Sequence, residues 1–227
     1  MTETLDQLRR SCVATLTTVL RSRGIANAWM SGIAPLASGQ PRIAGPAFTL
    51  RFVPVRDDLA TADAISGPRS PRAAIERMPA GCITVVDAMG LTAAGAFGDI
   101  MCARMSHIGV VGLLVDGAVR DKAGIRKLGW PVWSRDVAGP PGIAGLLYAD
   151  EQVPIACGGT AVTPGDIVVA DEDGAVVMPH AIAADVAREA AEKELFEEWA
   201  LCEVQAGASI LGTYPPNEAT LARYRAR

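Results

Sequence analysis

The stretch from Gly95 to Asp121 constrains the fold of this chain more than any other part of the sequence. A Gly-rich turn leads into a segment with helical character that begins near Asp99, and the apolar run Val110–Val115 follows as a buried strand. Three charged side chains, Asp99, Arg120 and Asp121, therefore fall next to the ends of a helix and a strand. Because α/β proteins place their ligands at such ends, this stretch is also the first candidate for a functional site.

The other patterns predict one domain across residues 1–227. Apolar runs predict buried strands at Ala47–Val55, Cys82–Val86 and Val110–Val115. From Val153 onward, short apolar segments separated by glycine-containing turns predict an antiparallel unit. Helical periodicity covers about 3–22 and 181–205, whereas Met89–Phe97 and the tail 206–227 are expected to be irregular. The strands Cys82–Val86 and Val110–Val115, with the helix between them, predict a parallel pair joined by a right-handed crossover. The predicted fold class is α/β: a layered α/β/α single domain with a mixed sheet (parallel β-α-β core plus an antiparallel β unit) and a long C-terminal helix.

Composition excludes several classes of function. The formal net charge is −4 and the basic side chains are scattered, which disfavours nonspecific binding to nucleic acid. The N-terminal segment has no secretory pattern, and no apolar run reaches the length of a membrane span. Five cysteines without metal-ligand spacing predict reduced thiols. We therefore expect a cytoplasmic protein with neither nucleic acid nor membrane as its partner.

The charged residues of the central stretch suit metal-assisted chemistry on a small acidic substrate. Carboxylates such as those of Asp99 and Asp121 are the ligands that hard divalent cations prefer. The guanidinium of Arg120 suits a substrate carboxylate or a developing oxyanion. The first turn of the predicted helix offers free N–H groups to a carboxylate, and its residues are Gly98, Asp99, Ile100 and Met101.

Some of these acidic residues also have purely structural interpretations. Asp121 can serve as the N-cap of the helix predicted over Lys122–Leu128, with Arg120 in a surface ion pair. Asp87 and Asp116 each end a predicted buried strand. We interpret both as turn residues that bond their own backbone, and place them outside the predicted site.

Several motifs together resemble one known family. They are Gly98-Asp-Ile-Met101 with Val115-Asp-Gly-Ala-Val-Arg-Asp121 at family spacing, the strand-like Gly45–Leu50, Asp57-Asp58 in place of an Asp-Asn pair, and the second signature Gly159–Gly174. The chain is similar to the class II pyruvate aldolases that cleave 4-hydroxy-4-methyl-2-oxoglutarate and 4-carboxy-4-hydroxy-2-oxoadipate. These enzymes share a fold with the RraA-type regulators of RNase E. The resemblance covers roughly residues 10–210.

This resemblance implies a metal-dependent lyase that cleaves a 4-hydroxy-2-oxo acid to pyruvate and a second oxo acid, with oxaloacetate decarboxylation as a side activity. In the family, the residue matching Asp121 coordinates the cation, which is Mg²⁺, Mn²⁺ or another divalent ion. The residue matching Arg120 contacts the pyruvate oxygens, and the one matching Asp99 holds metal-bound water. The family forms homo-oligomers, trimers or hexamers, in which a C-terminal Glu reaches the next subunit's site. Glu192 matches that residue best, with Glu194 a near equal.

Two other function classes remain open at this point. A non-catalytic RraA-type regulator would bind a ribonuclease by protein contact, although the complete set Asp99, Arg120 and Asp121 favours an enzyme. A methyltransferase acting on demethylmenaquinone is disfavoured, because the sequence has no Gly-rich strand–helix motif for S-adenosylmethionine.

Overall fold

The computed structural model describes residues 2–227 of the chain. Its α-helices are α1 (Thr2–Leu8), α2 (Val13–Ser22), α3 (Ala62–Ser66), α4 (Pro71–Glu76), α5 (Asp99–His107), α6 (Lys122–Leu128), α7 (Ala183–Gln205) and α8 (Glu218–Arg225). Its strands are β1 (Ala34–Pro35), β2 (Ile43–Pro54), β3 (Ile83–Gly95), β4 (Gly112–Val119), β5 (Val132–Val137), β6 (Leu146–Glu151), β7 (Ile155–Cys157), β8 (Thr160–Val162), β9 (Ile167–Asp171) and β10 (Gly174–Met178). Short 3-10 helices lie at Gly142–Ala144 and His180–Ile182.

An eight-stranded mixed sheet is the centre of the domain. Its strand order is β1-β5-β4-β3-β2-β9-β10, and β6 also pairs with β2. β2, β3, β4 and β5 are parallel, whereas β1, β6, β9 and β10 pair antiparallel with their neighbours. β7 and β8 form a separate hairpin. The predicted mixed α/β class is confirmed, including the parallel unit β3-α5-β4 and the long C-terminal helix α7.

The central strands are apolar along their whole length because both faces of the sheet are covered. In β4, Leu113 and Val115 pack with Met105 of α5 on one face. Leu114, which points the other way, packs with Trp133 among residues of the β7–β8 hairpin. All eight residues of β4 are buried, so the end of this strand is held in place for the residues that follow it.

A third apolar cluster lies between the helices α1, α2 and α7 and the antiparallel strands. Leu16 of α2, Val176 of β10 and Ala187 of α7 belong to it. Small alanines along α7 allow the long helix to lie close to the sheet. Within residues 2–227, no helix is both long enough and apolar enough to cross a bilayer. All five cysteines are free thiols.

The single N-terminal helix predicted over 3–22 is wrong, because the chain breaks between α1 and α2. The break is stabilised by two carboxylates from distant parts of the sequence, which accept hydrogen bonds from backbone N–H groups there. Cys12 N donates to Glu194 Oε1 at 2.7 Å, and Val13 N donates to Asp171 Oδ2 at 2.8 Å. Neither partner is near in sequence, so helical periodicity continues across the break without indicating it.

Two segments expected to be irregular are regular. β3 continues through most of Met89–Phe97, where its residues pair with β4 across register shifts. This part is rich in Gly and Ala, which favour strands weakly, and the pairing with β4 overrides that tendency. In the tail 206–227, α8 is capped by Asn217, whose Oδ1 accepts from Thr220 N at 2.9 Å.

Candidate active site

A cavity of about 250 Å³ lies where α5 and α6 begin. All six residues that the sequence predicted for substrate or metal line it, namely Gly98, Asp99, Ile100, Met101, Arg120 and Asp121. They meet there because the ends of β3 and β4 are paired, with Gly95 opposite Ala118. Arg120 N also donates to Phe97 O at 2.9 Å, which joins the two connections beyond the strands. The structure thus brings the two helix starts together.

Two glycines make this close approach possible. A Cβ on Gly95 would lie 2.7 Å from Arg120 Cβ and 2.8 Å from Arg120 N. A Cβ on Gly98 would collide with Asp121 Oδ2 and would lie 3.3 Å from Arg120 Cγ. Any side chain at these positions would push the two segments apart. The glycines of the turn therefore shape the site itself, as well as allowing the chain to bend.

The start of α5 is the anion-binding element of the cavity. Gly98 is the N-cap and has no side chain to occupy the N–H groups of the first turn. Asp99 Oδ1 accepts from Ile100 N at 2.8 Å, a favourable position for a negative charge at a helix start. A substrate carboxylate that binds Ile100 N–H must therefore displace this oxygen of Asp99.

Asp121 adopts a left-handed backbone conformation with φ 56° and ψ 39°. It occupies the N-cap position of α6 but makes no capping hydrogen bond, so the interpretation of Asp121 as a helix cap is wrong. The predicted ion pair is present, since Arg120 Nε donates to Asp121 Oδ2 at 3.0 Å. Both side chains remain more than a third exposed, at 38% and 39%, and are accessible to a ligand. A non-Gly residue in this conformation is uncommon and is found disproportionately at functional sites.

The carboxylates of the cavity fit a hard divalent cation. Gly124 of α6 contributes to this arrangement, because a Cβ there would collide with Asp99 Oδ2 and lie 2.9 Å from Asp99 Cγ. Across residues 2–227, no group of three or more His, Cys, Asp and Glu side chains could hold a metal ion. A cation at Asp121 would therefore have few protein ligands, all oxygen, and would keep several waters. Mg²⁺ tolerates such a site, whereas a structural Zn²⁺ site needs four protein ligands.

Cys102, the fourth residue of α5, is fully buried and is a poor candidate for a nucleophile. Burial, together with the negative charges of Asp99 and Asp121, raises the pKa of its thiol to about 12. The thiol therefore stays protonated at neutral pH, and only a thiolate is strongly nucleophilic.

The two glutamates predicted for the neighbouring subunit lie outside the cavity of their own chain. Glu194 is already engaged, since its Oε1 accepts from Cys12 N. Burial alone would raise the pKa of Glu194, but this hydrogen bond helps to lower it below the ordinary value. The Glu192 side chain is 70% exposed, and its nearest charged partner is Arg188 at 3.9 Å. Of the two, Glu192 is the one available to another chain, and its role stays a prediction.

Asp116 and Asp87 lie outside the cavity lining, as the sequence predicted. Asp116 is buried, forms an ion pair with Arg135 of β5 and accepts from Gly158 N at 2.8 Å. Its interpretation as a turn residue is therefore wrong, because it ties β4 to β5 and to the β7–β8 hairpin. Asp87 does bond nearby backbone, since its Oδ1 accepts from Met89 N at 3.0 Å, but both residues lie within β3, so the prediction that Asp87 ends its strand is wrong.

Sequence reasoning missed most of the apolar lining of the cavity. We call this lining the apolar wall, and it consists of the predicted Met101 together with Phe52, Ile65, Ile143, Leu146 and Tyr148, which were not predicted. They come from β2, α3, α5, the 3-10 helix at Gly142–Ala144 and β6. In the sequence they are scattered over separate segments, and nothing in any one of those segments indicates a ligand site. Only the fold brings them to one surface.

A small-molecule site is the class of site that this geometry defines. A few charged groups and several apolar side chains line one concave cavity, as in pockets for small molecules. The sequence matches the RraA-like family, described as Aldolase/RraA, over residues 13–177. The chain belongs to this family.

Three similar proteins from this comparison have different names. Protein DlpA of Legionella pneumophila is 29% identical over 210 residues, which is 92% of this chain but 33% of DlpA, so the chain spans about a third of that relative. A protein of Halalkalibacterium halodurans named "Putative 4-hydroxy-4-methyl-2-oxoglutarate aldolase" is 31% identical over 172 residues, 74% of each chain. The solved structure of Streptomyces coelicolor RraAS2, described as an unusual member of the RNase ES inhibitor RraA protein family, has a TM-score of 0.78 and 34% identity. The similarity covers 87% of this chain and 94% of that chain.

Proposed function

We propose that this protein is a divalent-metal-dependent carbon–carbon lyase, which cleaves a 4-hydroxy-2-oxo acid to pyruvate and a second carbonyl compound. The observation that carries the proposal is that Asp99, Arg120 and Asp121 line one cavity at the start of α5. Membership of the RraA-like family and the identity to a protein named as an aldolase support this reaction class.

The start of α5 and Arg120 bind the 2-oxo acid end of the substrate. First-turn N–H groups receive the carboxylate, with Asp99 Oδ1 moving off Ile100 N as the substrate enters. Arg120 holds Asp121 through Nε, which leaves its terminal nitrogens for the substrate's oxygens. Arg120 and the helix start thus hold the acid end in one orientation.

Cleavage then requires one proton transfer and one broken bond. A water held by Asp99 takes the proton of the C4 hydroxyl, and C4 becomes a carbonyl carbon. The electron pair of the C3–C4 bond moves to C3 and gives the enolate of pyruvate. Arg120 lies beside the enolate oxygen and stabilises its negative charge. The water held by Asp99 then returns a proton to C3, which completes pyruvate and restores the water.

The proposed cofactor is Mg²⁺, Mn²⁺ or another divalent cation held by Asp121. When bound, such an ion polarises the 2-oxo group and offsets the charge that develops on it. Asp99 does not bind the cation directly; it acts through a bound water molecule. Oxaloacetate loses CO₂ by way of the same enolate, so we propose decarboxylation of oxaloacetate as a side activity.

The proposed working form is a homo-oligomer, a trimer or hexamer, in the cytoplasm. Glu192 is free of strong partners in its own chain and lies on the exposed side of α7. We propose that it reaches the cavity of a neighbouring chain and helps to hold the catalytic water. A monomer of 23.6 kDa in sedimentation at micromolar concentration would remove that role.

The second candidate is a protein-binding regulator of a ribonuclease. Likeness to RraAS2 favours it, because that protein is described as a member of an RNase ES inhibitor family. A regulator of this kind acts through an exposed surface and has no need of charged groups at the end of a cavity. The two candidate functions therefore differ in one requirement: the lyase needs the Asp121 carboxylate for activity, and the regulator does not.

Pyruvate release from 4-hydroxy-4-methyl-2-oxoglutarate tests the proposal. We expect release with added Mg²⁺, loss of release with excess chelator, and no release by Asp121→Ala. The matched control is Asp6→Ala, which removes another exposed carboxylate that is paired with an arginine. Because exposed carboxylates contribute little to packing, Asp6→Ala should unfold at the wild-type temperature. Asp121→Ala should unfold somewhat lower while remaining folded at the assay temperature, because alanine tolerates the left-handed conformation of Asp121 less well. Metal-independent release, or full activity of Asp121→Ala, would contradict the metal assignment.

A further inference from the structure

Arg72, at the start of α4, brings a second arginine to the cavity. It is exposed and belongs to the cavity lining. Its Nη1 donates to Ile65 O at 2.7 Å and to Ser66 Oγ at 3.4 Å, so the end of α3 holds the guanidinium in place. Its other two nitrogens donate to no atom of residues 2–227. They are therefore available to a ligand.

Arg72 also lacks a counter-charge in the part of the chain that the structure describes. Among residues 2–227 it forms no ion pair, whereas Arg120, the other cation of the cavity, is paired with Asp121. Arg69 is exposed and unpaired as well, but it does not line the cavity. An arginine that is held in place, lacks a carboxylate partner and lines a cavity is suited to bind an anionic group of a ligand.

An ion pair between α4 and α5 places Arg72 near the start of α5. Glu76 of α4 accepts two hydrogen bonds from Arg104 of α5, at 2.9 Å and 2.6 Å. Arg72 lies about one turn before Glu76 on α4, or roughly 5.4 Å along the helix. Ile100 lies one turn before Arg104 on α5 in the same way. Because Arg72 and Ile100 both line the cavity, the two helices begin on the same side, and Arg72 is close to a ligand held at the start of α5.

The charges of the cavity match a ligand with two negative charges. The charged lining consists of two arginines and two aspartates and is neutral by itself, its members being Arg72, Arg120, Asp99 and Asp121. A divalent cation at Asp121 gives the cavity two positive charges in excess. A ligand with two carboxylates neutralises this excess, whereas a ligand with one carboxylate neutralises half of it.

We propose that Arg72 determines specificity by binding a second carboxylate of the ligand. The inference rests on the proposed function, in which Arg120 and the start of α5 bind the 2-oxo acid end. Arg72 pairs with a carboxylate elsewhere on the same molecule, through the nitrogens that are not bound to α3. The cavity thus distinguishes dicarboxylates from 2-oxo acids that end in an apolar group.

Two uncleavable probes of similar shape test the assignment. 2-Oxoglutarate and 5-methyl-2-oxohexanoate share the 2-oxo acid end, lack the 4-hydroxyl, and differ in ending with a carboxylate or an isopropyl group. With Mg²⁺ present, calorimetry of the wild type should show 2-oxoglutarate binding at least about tenfold more tightly, because hydrogen bonds between charged groups are the stronger class. Equal binding, tighter binding of the apolar probe, or no binding of either probe overturns the inference.

Substitution of Arg72 separates recognition of the second carboxylate from a structural role. In Arg72→Met, the preference for 2-oxoglutarate should fall at least about tenfold, while 5-methyl-2-oxohexanoate binds almost as before. Loss of the bond to Ile65 O alone would weaken both probes alike, so the ratio of their affinities reports the second carboxylate. The matched control, Arg69→Met, removes an exposed arginine outside the cavity and should leave the ratio unchanged.

A wild-type ratio in Arg72→Met overturns the assignment. If that variant fails to fold, Arg72→Gln replaces it, because the amide keeps a donor for Ile65 O while the charge is removed, and the same fall in the ratio is expected.

The outcomes separate this inference from the proposed function. If Arg72 gives the preference for 2-oxoglutarate but no 4-hydroxy-2-oxo acid releases pyruvate, the carboxylate site stands and the lyase proposal fails. If 4-hydroxy-4-methyl-2-oxoglutarate releases pyruvate and the two probes bind equally, the lyase proposal stands and the role of Arg72 is refuted.

Discussion

Gly124, in the first turn of α6, is predicted to control catalysis through Asp99. A Cβ at Gly124 would lie 2.8 Å from Asp99 Cβ and 2.9 Å from Asp99 Cγ, whereas ordinary contacts begin at 3.4 Å. In Gly124→Ala, the carboxylate of Asp99 must therefore move by roughly 0.5–1 Å, and a misplacement of about 1 Å costs on the order of 100-fold in rate. Its hydrogen bond to Ile100 N changes with it. We expect kcat for pyruvate release to fall about 30- to 100-fold.

The same substitution should not weaken the fold. Alanine is favoured over glycine inside a helix by up to about 1 kcal/mol, which for a domain of this size is roughly 2–4 °C in melting temperature. Gly124 has no left-handed backbone conformation that alanine would strain. The contact with Asp99 Cβ must be relieved by a small shift of α5 against α6, which offsets this gain, so circular dichroism should show a melting temperature close to that of the wild type while turnover is severely reduced.

Two comparisons show whether Gly124 acts through Asp99. Gly139→Ala adds a methyl group where no atom lies within 4 Å, and should leave kcat unchanged. In the Asp99→Asn background, Gly124→Ala should cost little more, because coupled positions are not additive. A wild-type kcat in Gly124→Ala, or the same fold-loss in both backgrounds, would refute the reasoning.

Three further predictions concern the charges of the site and of its support. Arg120→Lys should lower kcat/KM for pyruvate release about 100-fold, because an ammonium cannot reproduce the planar guanidinium, and a near-wild-type value would contradict its role at the enolate oxygen. Oxalate resembles the pyruvate enolate and should bind more tightly than pyruvate with Mg²⁺ but not with excess chelator, and equal calorimetric titrations would count against the site. Burial alone would raise the pKa of Glu151, but hydrogen bonds from Arg77 and Tyr148 outweigh it and lower that pKa. The stability that Glu151 contributes is therefore present above its unfolded pKa of about 4.3 and is lost as pH falls through the lower folded value. The urea midpoint of the wild type should exceed that of Glu151→Gln at pH 7 and approach it near pH 3, and a constant difference would contradict this.

Elements defined by local chemistry could be predicted from the sequence. The helix over Lys122–Leu128 has the predicted bounds, because Gly129 ends it in a left-handed conformation. The strand after α5 was recognised from its apolar run, although it begins later and continues to Val119. The break after Leu8 could not be predicted, since the carboxylates that stabilise it come from Asp171 and Glu194.

The candidate site divides in the same way. Its charged end comes from one continuous stretch, in which Gly98, Asp99, Arg120 and Asp121 are near in sequence and carry recognisable chemistry. Its apolar wall comes from separate elements whose side chains look like ordinary core residues in the sequence. Gly124 is similar, because a glycine in a helix indicates nothing until the Asp99 carboxylate beside it is seen.

The arrangement of the carboxylates bears on which proposed function is correct. Asp99 and Asp121 line the same cavity, and Arg120 pairs with Asp121. Gly98 and Gly124 leave the space that these carboxylates occupy, because a Cβ at either position would collide with a carboxylate oxygen. A protein that acts only through its outer surface has no need of glycines that keep two carboxylates open to a cavity, whereas a divalent cation and an anionic substrate would use that opening. For this reason we prefer the lyase proposal to the regulator.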